Sequence, residues 1–285
     1  MQRSEVLWIF EEKKDEFLVD IPSDESPLCI LFGGQGAVGK GQLNLRAEKM
    51  YPEKKFFPIN GDNYRLWHPK FDELNRDIFN FSRETQIFSN VFTEKLIEES
   101  IKNRYSFTVE GTMRSPIVPM KTAELSRFNS YETAAFVIAA PKEFSLLNAF
   151  LRYMKEVRKK GFGRMIEIES HNAAVDGLPL SLDNLYIGKS VDRICIFDCF
   201  ARNLVMDYKL VDGKWDSFEL PSKIVKDCRE NQLKDGIMID AFLNEGEAAL
   251  KEIKEGVFKE KLLCAFNCLR ELKAKSQVVQ KRMRL

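Results

Sequence analysis

Histidines and closely paired cysteines are scarce in this sequence. Only two of its 285 residues are histidines, which argues against a histidine-rich metal site. The six cysteines include no C-x-x-C pair, because Cys195 and Cys199, like Cys264 and Cys268, are four residues apart. A disulfide scaffold would need a higher density of cysteines in a shorter chain. We therefore interpret the cysteines as small hydrophobic residues of the core.

The sequence also lacks an excess of charge of either sign and any long apolar segment. It has 44 lysines and arginines against 43 aspartates and glutamates, which argues against a general nucleic-acid-binding or membrane-surface protein. No apolar run approaches the roughly 20 residues that span a bilayer, and the N-terminus lacks the layout of a signal peptide. We therefore expect a cytoplasmic protein that binds neither nucleic acids nor membranes.

Short apolar runs alternate with segments of helix length along the first 200 residues or so. Continuous apolar runs are typical of strands that are buried on both faces of a parallel sheet. Strands are predicted at residues 28–32, 56–59, 107–109, 134–139 and 193–197. Helices are predicted at residues 41–51, 83–102, 118–127 and 142–159. This alternation predicts an α/β fold with a mainly parallel five-stranded sheet flanked by helices.

The pattern changes after residue 197. Residues 204–211 and 215–220 flank Asp212 and Gly213, which predicts a β-hairpin with a tight turn. From about Gly236 the sequence becomes strongly helical and carries an apolar stripe, formed by Leu250, Ile253, Val257, Leu262, Phe266, Leu269 and Leu272. An apolar stripe requires a hydrophobic partner. It either packs on the preceding α/β core or forms a regulatory or partner-binding element.

A glycine-rich segment joins the first predicted strand to the first predicted helix. It carries the pattern G-x-x-x-x-G-K in residues Gly34, Gln35, Gly36, Ala37, Val38, Gly39 and Lys40, followed by Gly41. Glycines let the backbone approach phosphate oxygens closely, and amides before a helix N-terminus favour anions. Lys40 adds a positive charge for the β and γ phosphates. The segment therefore predicts a P-loop that binds a nucleoside triphosphate, and a kinase is the protein class that we expect.

Gly41 departs from the usual P-loop, in which a serine or threonine follows the lysine and supplies a hydroxyl to Mg²⁺. The order Gly39-Lys40-Gly41 resembles the adenylate kinase loop, although a threonine follows there and Gln42 follows here. Mg²⁺ would then be held by phosphates, waters and another side chain. A catalytically weakened nucleotide-binding protein remains the alternative.

Carboxylates follow the second and third predicted strands. Asp62 comes directly after the second strand, and Glu110, Thr112 and Arg114 follow the third. The carboxyl ends of parallel strands border the ligand crevice of an open α/β sheet. Asp62 is therefore a candidate base for an acceptor hydroxyl, and the other three are candidates for contacts with a sugar or a diphosphate. A helix cap or a turn is the alternative role for Asp62.

Two arginines flank a basic stretch farther along the chain. Arg152 and Arg164 lie on either side of residues 155–160, which end in Gly161-Phe162-Gly163. Arginines on a lid can neutralise the charge that develops during phosphoryl transfer. An exposed helix face is the alternative explanation of this basic stretch.

Together these residues resemble the zeta toxin family, the kinase half of bacterial epsilon/zeta toxin–antitoxin systems. The similarity runs from about residue 27 to residue 208, roughly two-thirds of the chain. The combination of H-P-x-F-D-E-L with E-G-T-x-R is far more specific than a P-loop alone. The matching stretches are residues 34–40, Asp62, residues 68–74, Ser89-Asn90, Thr93-Glu94, Glu110-Gly111-Thr112, Arg114, Tyr131-Glu132-Thr133, Arg152-Tyr153 and Arg164.

The resemblance implies an enzyme that uses ATP or GTP, with Mg²⁺, to phosphorylate the 3′-hydroxyl of the sugar in UDP-N-acetylglucosamine. This reaction would block peptidoglycan synthesis. Lys40 would hold the transferring phosphate, and Asp62 would activate the sugar hydroxyl. The residues implied to line the sugar-nucleotide pocket are Asp62, Glu94, Glu110, Thr112, Arg114 and Thr122. Arg152 and Arg164 would clamp the nucleotide phosphates.

The resemblance also divides the chain into three predicted parts. These are an N-terminal extension at residues 1–26, a P-loop kinase domain at residues 27–221 and a helical C-terminal extension at residues 222–285. The C-terminal helices would act as a built-in inhibitor, dock an antitoxin protein, or pack on the core. Another acceptor, such as an antibiotic, a nucleotide or a dinucleotide, remains open because the fold alone does not select it.

Overall fold

A mainly parallel sheet forms the centre of the molecule in the computed structural model, which describes residues 1–254 and 256–282. The strand order is β2-β3-β1-β4-β5-β6-β7. The strands are β1 (Leu28–Gly33), β2 (Phe57–Asn60), β3 (Phe107–Glu110), β4 (Glu132–Ile138), β5 (Arg193–Phe197), β6 (Leu204–Val211) and β7 (Lys214–Trp215). Strands β1 to β5 pair in parallel, and this confirms the predicted α/β fold.

The predicted C-terminal hairpin belongs to the same sheet. Strand β6 pairs antiparallel with β5, so the sheet has seven strands among the described residues and not five. The second arm of the hairpin is also shorter than predicted, because β7 contains only Lys214 and Trp215. Its sequence after Trp215 is D-S-F-E-L-P, and the proline begins the next helix. Proline cannot donate a hydrogen bond to a sheet and suits the first turn of a helix.

Helices cover both faces of the sheet. They are α1 (Arg3–Phe17), α2 (Gln42–Met50), α3 (Gly61–Tyr64), α4 (Phe71–Leu74), α5 (Phe81–Glu84), α6 (Gln86–Lys102), α7 (Ile117–Phe128), α8 (Lys142–Lys160), α9 (Ile168–Ile187), α10 (Pro221–Gln232), α11 (Gly236–Glu252) and α12 (Val257–Arg282). The four helices predicted before residue 200 correspond to α2, α6, α7 and α8, and the predicted helical extension corresponds to α10, α11 and α12. Helices α1 and α9 were not predicted, and α9 contains Gly177 and Pro179, which both disfavour a helix interior. None of the helices described in residues 1–254 and 256–282 is long and apolar enough to cross a membrane.

Alternation along the strands assigns their side chains to two separate cores. Cys29 and Leu31 of β1 belong to the core beneath α1, α6, α7 and α9, whereas Leu28, Ile30 and Phe32 belong to the core beneath α2. All six residues of β1 are buried. Successive side chains of a strand point to opposite faces, so a continuous apolar run serves both cores. The continuous run at residues 28–32 therefore predicted this arrangement correctly.

The C-terminal helices α11 and α12 pack on α8. Leu262 and Leu269 of α12 are fully buried in the core that these three helices share, and Phe266 is 9% exposed. Val257, at the start of α12, is 58% exposed. Packing on the core is thus confirmed for most of the apolar stripe. The proposed boundary between residues 221 and 222 stays a prediction, and residues 255 and 283–285 of the predicted extension lie outside the described residues.

Candidate active site

The P-loop leaves the carboxyl end of β1 and turns back around the side chain of Lys40. Gly34 has φ 139° and Gly39 has φ 87°, values that residues with a Cβ rarely adopt. The Lys40 amine donates hydrogen bonds to the carbonyl oxygens of Gly34 and Gln35, each at 3.0 Å. Glycines at the two bends therefore allow the loop to enclose the lysine, which is only 9% exposed.

The remaining residues of the P-loop divide into buried and cavity-facing groups. Val38 and Gln35 are fully buried, and the Gln35 amide donates to the carbonyl of Ala140 at 2.8 Å. Gly36 packs closely against Ile166. A neighbouring cavity is lined by Ala37, Gly39, Lys40 and Gly41. The buried members hold the loop in place, while the later members face the space that a phosphate would enter.

Asn60 fixes the position of Asp62 at the end of β2. Its side-chain oxygen accepts a hydrogen bond from the backbone amide of Asp62 at 3.0 Å and caps helix α3. Its amide group donates to Glu110 Oε2 at 2.9 Å, so it also joins the ends of β2 and β3. Asparagine is favoured at this position because it caps a helix without itself adopting a helical conformation. The two carboxylates Asp62 and Glu110 are thereby held at one edge of the sheet.

Asp62 forms ion pairs with two arginines. Arg65 Nε donates to Asp62 Oδ1 at 2.9 Å, and Arg164 pairs with the same carboxylate. Burial alone would raise the pKa of Asp62, but the charges and hydrogen bonds of Arg164 and Arg65 outweigh it and hold this pKa well below its usual range. The carboxylate is therefore ionised at neutral pH.

Glu110 lies beside Lys40. The distance between Glu110 Oε1 and Lys40 Nζ is 3.7 Å. Burial lowers the pKa of Lys40 below its usual value, although the charges of Glu110 and Asp62 oppose this effect. A partly desolvated ammonium group next to a phosphate site interacts more strongly with anions than one in bulk water.

Arg152 on α8 presents unpaired donors. Its Nε lies 3.7 Å from Glu156 Oε1, yet Nε and Nη2 are buried without a hydrogen-bond partner among the described residues. Burial and the nearby Arg164 lower the pKa of Arg152. Buried charged donors without partners are costly, and an anionic ligand would satisfy them. The environment of Arg152 is therefore suited to phosphate oxygens.

One cavity of about 440 Å³ unites the charged groups of the site. Its lining includes Lys40, Asp62, Glu110, Arg152 and Arg164. This volume lies within the usual range of ligand pockets. The P-loop and the candidate base thus face a common space, as the sequence predicted.

An aromatic wall closes another side of the same cavity. The ring of Phe71 on α4 contacts those of Phe81 and Phe162 edge-on, with centroid distances of 5.6 and 5.8 Å. Phe71 belongs to the H-P-K-F-D-E-L stretch, and Phe162 follows the left-handed residue Gly161 at the end of α8. The basic stretch therefore leads into a wall of the cavity.

Four of the residues predicted to bind the acceptor lie outside the lining of this cavity. Glu94 on α6 pairs with Arg3 of α1 at 2.6 Å, and Arg114 donates to Ser170 Oγ at 2.9 Å. Thr122 on α7 donates to the carbonyl of Val118, and Thr112 is partly buried. Their proposed contacts with an acceptor stay predictions.

Arg65 and Glu156 are site residues that the sequence analysis did not identify. Arg65 is 5% exposed and also donates to Thr85 Oγ1 at 2.6 Å, while Glu156 accepts from the backbone amide of Arg164 at 3.1 Å. A signal existed for Arg65, because it follows Asp62 by three residues and residues at this spacing meet on a helix. Glu156 lies within the basic stretch, where nothing distinguished it from an exposed helix face.

The side chains that line the cavity are compatible with binding of Mg²⁺. Gly41 supplies no hydroxyl, and the described residues contain no group of three acidic, histidine or cysteine side chains that would hold a metal. Asp62 and Glu110 nevertheless present carboxylates to the cavity. Mg²⁺ usually keeps several waters and binds one or two carboxylates together with phosphate oxygens. A metal carried in by a nucleotide therefore fits these residues.

Comparison with known proteins identifies the family. The zeta toxin family model matches residues 13–210. Toxin PezT of Streptococcus pneumoniae serotype 4 is 29% identical over 226 residues, which cover 74% of this chain and 88% of PezT. Toxin zeta of Enterococcus hirae is 32% identical over 220 residues, which cover 73% of this chain and 70% of the toxin.

Two solved structures show the same fold. One comes from the PezAT chromosomal toxin–antitoxin system of Streptococcus pneumoniae, with a TM-score of 0.66 and 23% identity over 95% of this chain and 98% of that one. The other is the AvrRxo1-ORF1:AvrRxo1-ORF2 complex with sulphate ions, with a TM-score of 0.56 and 15% identity over 95% and 87% of the two chains. The match of the family model over more than half of the sequence, together with the P-loop kinase fold, shows that the chain belongs to the zeta toxin family of kinase-like toxins.

Proposed function

We propose that this protein transfers the γ-phosphoryl group of ATP or GTP to the 3′-hydroxyl of the sugar in UDP-N-acetylglucosamine and thereby blocks peptidoglycan synthesis. Membership of the zeta toxin family supports the kinase reaction. The observation that carries the proposal is the single cavity in which the P-loop lysine Lys40 and the carboxylate Asp62 meet. Phosphoryl transfer depends mainly on such positioning and on charge neutralisation.

The charged residues of the cavity have two main parts in the proposed reaction. Lys40, Arg152 and Arg164 bind the triphosphate and neutralise the charge on the transferring group. Asp62 accepts a hydrogen bond from the acceptor hydroxyl and takes its proton. A new bond forms between the sugar oxygen and the γ-phosphorus, the bond from that phosphorus to the bridging oxygen breaks, and the nucleoside diphosphate leaves.

Arg164 must change its partner during this reaction. It pairs with Asp62, although its proposed role is to bind phosphate. A triphosphate in the cavity offers more negative charge than one carboxylate and would draw the guanidinium to itself. Asp62 would then retain Arg65, which positions it, and gain access to the acceptor hydroxyl. Binding of the donor nucleotide would thus prepare the base.

When bound, Mg²⁺ would supply positive charge that helps to neutralise the triphosphate. Glu110 is the residue that would hold it, directly or through water, while Asp62 serves the acceptor hydroxyl. Glu110 would also hydrogen-bond the acceptor sugar. Of the remaining proposed acceptor contacts, Glu94 would have to release Arg3 before it could bind a ligand.

An acceptor assay with the purified full chain tests the proposed function. We expect transfer of label from γ-labelled ATP or GTP to UDP-N-acetylglucosamine and no transfer to its 3-deoxy analogue, because that analogue lacks the accepting oxygen. Antibiotics, nucleotides and dinucleotides serve as competing acceptors. Exclusive labelling of one of these would show that the kinase has another substrate.

The second candidate function is a weakened nucleotide-binding protein, which the absence of a hydroxyl at Gly41 favours. A Cβ built on Gly41 meets no atom within 4 Å, and the residue has ordinary helical angles of φ −56° and ψ −23°. The fold therefore accepts threonine at this position. We expect Gly41→Thr to lower the Mg²⁺ concentration that gives half-maximal transfer, because the new hydroxyl adds a ligand.

Gly236→Thr is the matched control, since Gly236 also has open space around it and lies outside the cavity. A Mg²⁺ titration of labelled transfer compares the two variants with the natural chain. The weakened-protein alternative would be supported if transfer were negligible in the natural chain and in Gly236→Thr but rapid in Gly41→Thr. Equal Mg²⁺ dependence in all three proteins would remove Gly41 from any role in metal binding.

We also propose an antitoxin protein as a partner. The PezAT structure comes from a toxin–antitoxin system, and PezT is among the relatives of this chain. Direct inhibition by the C-terminal helices is less well supported. The cavity is lined by residues between 37 and 164, so no described residue of the C-terminal helices forms part of its lining.

A further inference from the structure

A short loop after β5 lies directly against the P-loop. It forms a 3-10 turn at Cys199–Ala201, in which Phe200 and Ala201 have φ values of 61° and 51°. Residues with a Cβ rarely adopt this left-handed conformation, and two in succession require support from the surrounding structure. The loop is therefore held in an unfavourable shape by its contacts.

The ring of Phe200 contacts the P-loop one residue before Lys40. A Cβ built on Gly39 would lie 2.8 Å from Phe200 Cδ1, which shows that the ring rests on the glycine backbone. The backbone amide of Phe200 donates to the carbonyl of Val38 at 3.1 Å. Phe200 thus supports the bend of the P-loop by both its ring and its backbone.

Two further rings connect Phe200 to the helices behind the site. Phe200 stacks on Phe242 of α11 with a centroid distance of 6.1 Å and an angle of 19°. Phe242 stacks in turn on Phe144 of α8, at 4.8 Å and 17°. Phe242 is 7% exposed and Phe144 is fully buried, so both rings lie within the packed core. The stack links the P-loop to α11 and to the helix that carries Arg152.

Polar contacts hold the rest of the loop. Arg46 of α2 donates to the carbonyl of Ala201 at 2.7 Å, and the backbone amide of Cys199 donates to Gln232 of α10 at 2.9 Å. Arg202 contacts the sulfur of Met238 on α11 at 3.5 Å. The loop is therefore anchored to α2, the helix that follows the P-loop, on one side and to the C-terminal helices α10 and α11 on the other.

We propose that Phe200 is a positioning residue that sets the shape of the P-loop at Gly39, and that the C-terminal helix α11 holds it there through Phe242. The C-terminal helices would then promote nucleotide binding, and their displacement by a partner would weaken it. This inference rests only on the binding of a triphosphate by the P-loop, and not on the identity of the acceptor.

The test is a binding measurement with the full chain and a non-hydrolysable ATP analogue. We expect Phe200→Ala and Phe242→Ala each to raise the Kd by about tenfold, which is typical of coupling between packed elements. The double variant should bind no more weakly than the weaker single variant, because both substitutions remove the same support. In transfer assays the KM for nucleotide should rise more than kcat falls.

Phe258→Ala is the matched control. Phe258 of α12 also packs its ring on α8, against Phe150 at 5.3 Å and Tyr153 at 5.1 Å, but it belongs to a different aromatic contact. Phe258→Ala should lower the melting temperature while it leaves the Kd within about twofold, because the ring contacts found for Phe258 are with Phe150 and Tyr153 and not with Phe200 or Phe242. Phe200→Leu keeps an apolar side chain over Gly39 and should recover part of the affinity, and it replaces Phe200→Ala if that variant does not fold.

Two outcomes would overturn the inference. One is that Phe242→Ala folds and binds the ATP analogue with an unchanged Kd, and that a folded Phe200 variant, Phe200→Ala or Phe200→Leu, does the same. The other is an equal rise of the Kd in Phe258→Ala, which would indicate general destabilisation. Because no acceptor is present, a wrong assignment of the acceptor would leave the result unaffected. Failure of the natural chain to bind either the ATP analogue or the corresponding GTP analogue would instead refute the P-loop assignment.

Discussion

Asp62→Asn is expected to lower kcat for phosphoryl transfer by about 10²- to 10⁴-fold, the usual contribution of a positioned general base. Asparagine has the same shape and retains an oxygen for Arg65 and Arg164, so the fold should persist. Affinity for the triphosphate should be kept or should increase, because Arg164 loses its ion-pair partner and becomes free for phosphate. Single-turnover transfer and binding of a non-hydrolysable analogue measure the two effects separately.

Asp15→Asn is the control for this substitution. Asp15 lies on the exposed side of α1, outside the lining of the cavity. Asp15→Asn should therefore leave both kcat and the affinity for the triphosphate unchanged. Unchanged turnover in Asp62→Asn would remove Asp62 from the role of base. If Asp62→Asn lost both turnover and binding of the analogue, Asp62 would instead be needed to maintain the structure of the nucleotide site.

Lys40→Ala is expected to abolish measurable transfer, with a loss of about 10³-fold or more, because it removes a positive charge that acts on the phosphates in a partly desolvated site. Unlike Asp62→Asn, it should also weaken triphosphate binding. Expression in a bacterial host provides a second measurement. Growth arrest or lysis caused by the natural chain should disappear in the variant.

Lys226→Ala is the matched control for Lys40→Ala. The Lys226 side chain is 74% exposed on α10, and its only ion pair there is a long one of 3.9 Å to Glu230 among the described residues. It should retain transfer, nucleotide affinity and toxicity. Growth arrest that persists in Lys40→Ala at equal protein levels would show that toxicity does not depend on the P-loop.

Local patterns predicted most of the secondary structure. The five mainly apolar runs became the parallel strands, since strands that are largely buried on both faces contain few polar residues. Helix α9 escaped prediction because Gly177 and Pro179 oppose a helix locally and tertiary packing overrides them. The second arm of the hairpin was predicted too long because its apolar residues, such as the fully exposed side chain of Phe218, are not paired in the sheet.

The site was predicted only partly. Its P-loop is a contiguous motif, and the ends of β2 and β3 meet in any open parallel sheet of this order, so Lys40, Asp62 and Glu110 were expected together. The proposed acceptor residue Glu94 could be named only by resemblance, and its partner Arg3 lies far from it in the sequence. Arg114 was placed after the third strand by the sequence, but its partner Ser170 is also distant in the chain.

The sequence by itself determined the family, the parallel order of the core and the chemistry of the P-loop, because these depend on short motifs and on periodic burial. The tertiary structure decided which charges meet. It brought Arg164 to Asp62, left donors of Arg152 unpaired beside the cavity, and placed Phe200 between Gly39 and α11. These contacts join residues that are distant in the chain, and packing of whole helices sets their distances, which no local pattern encodes.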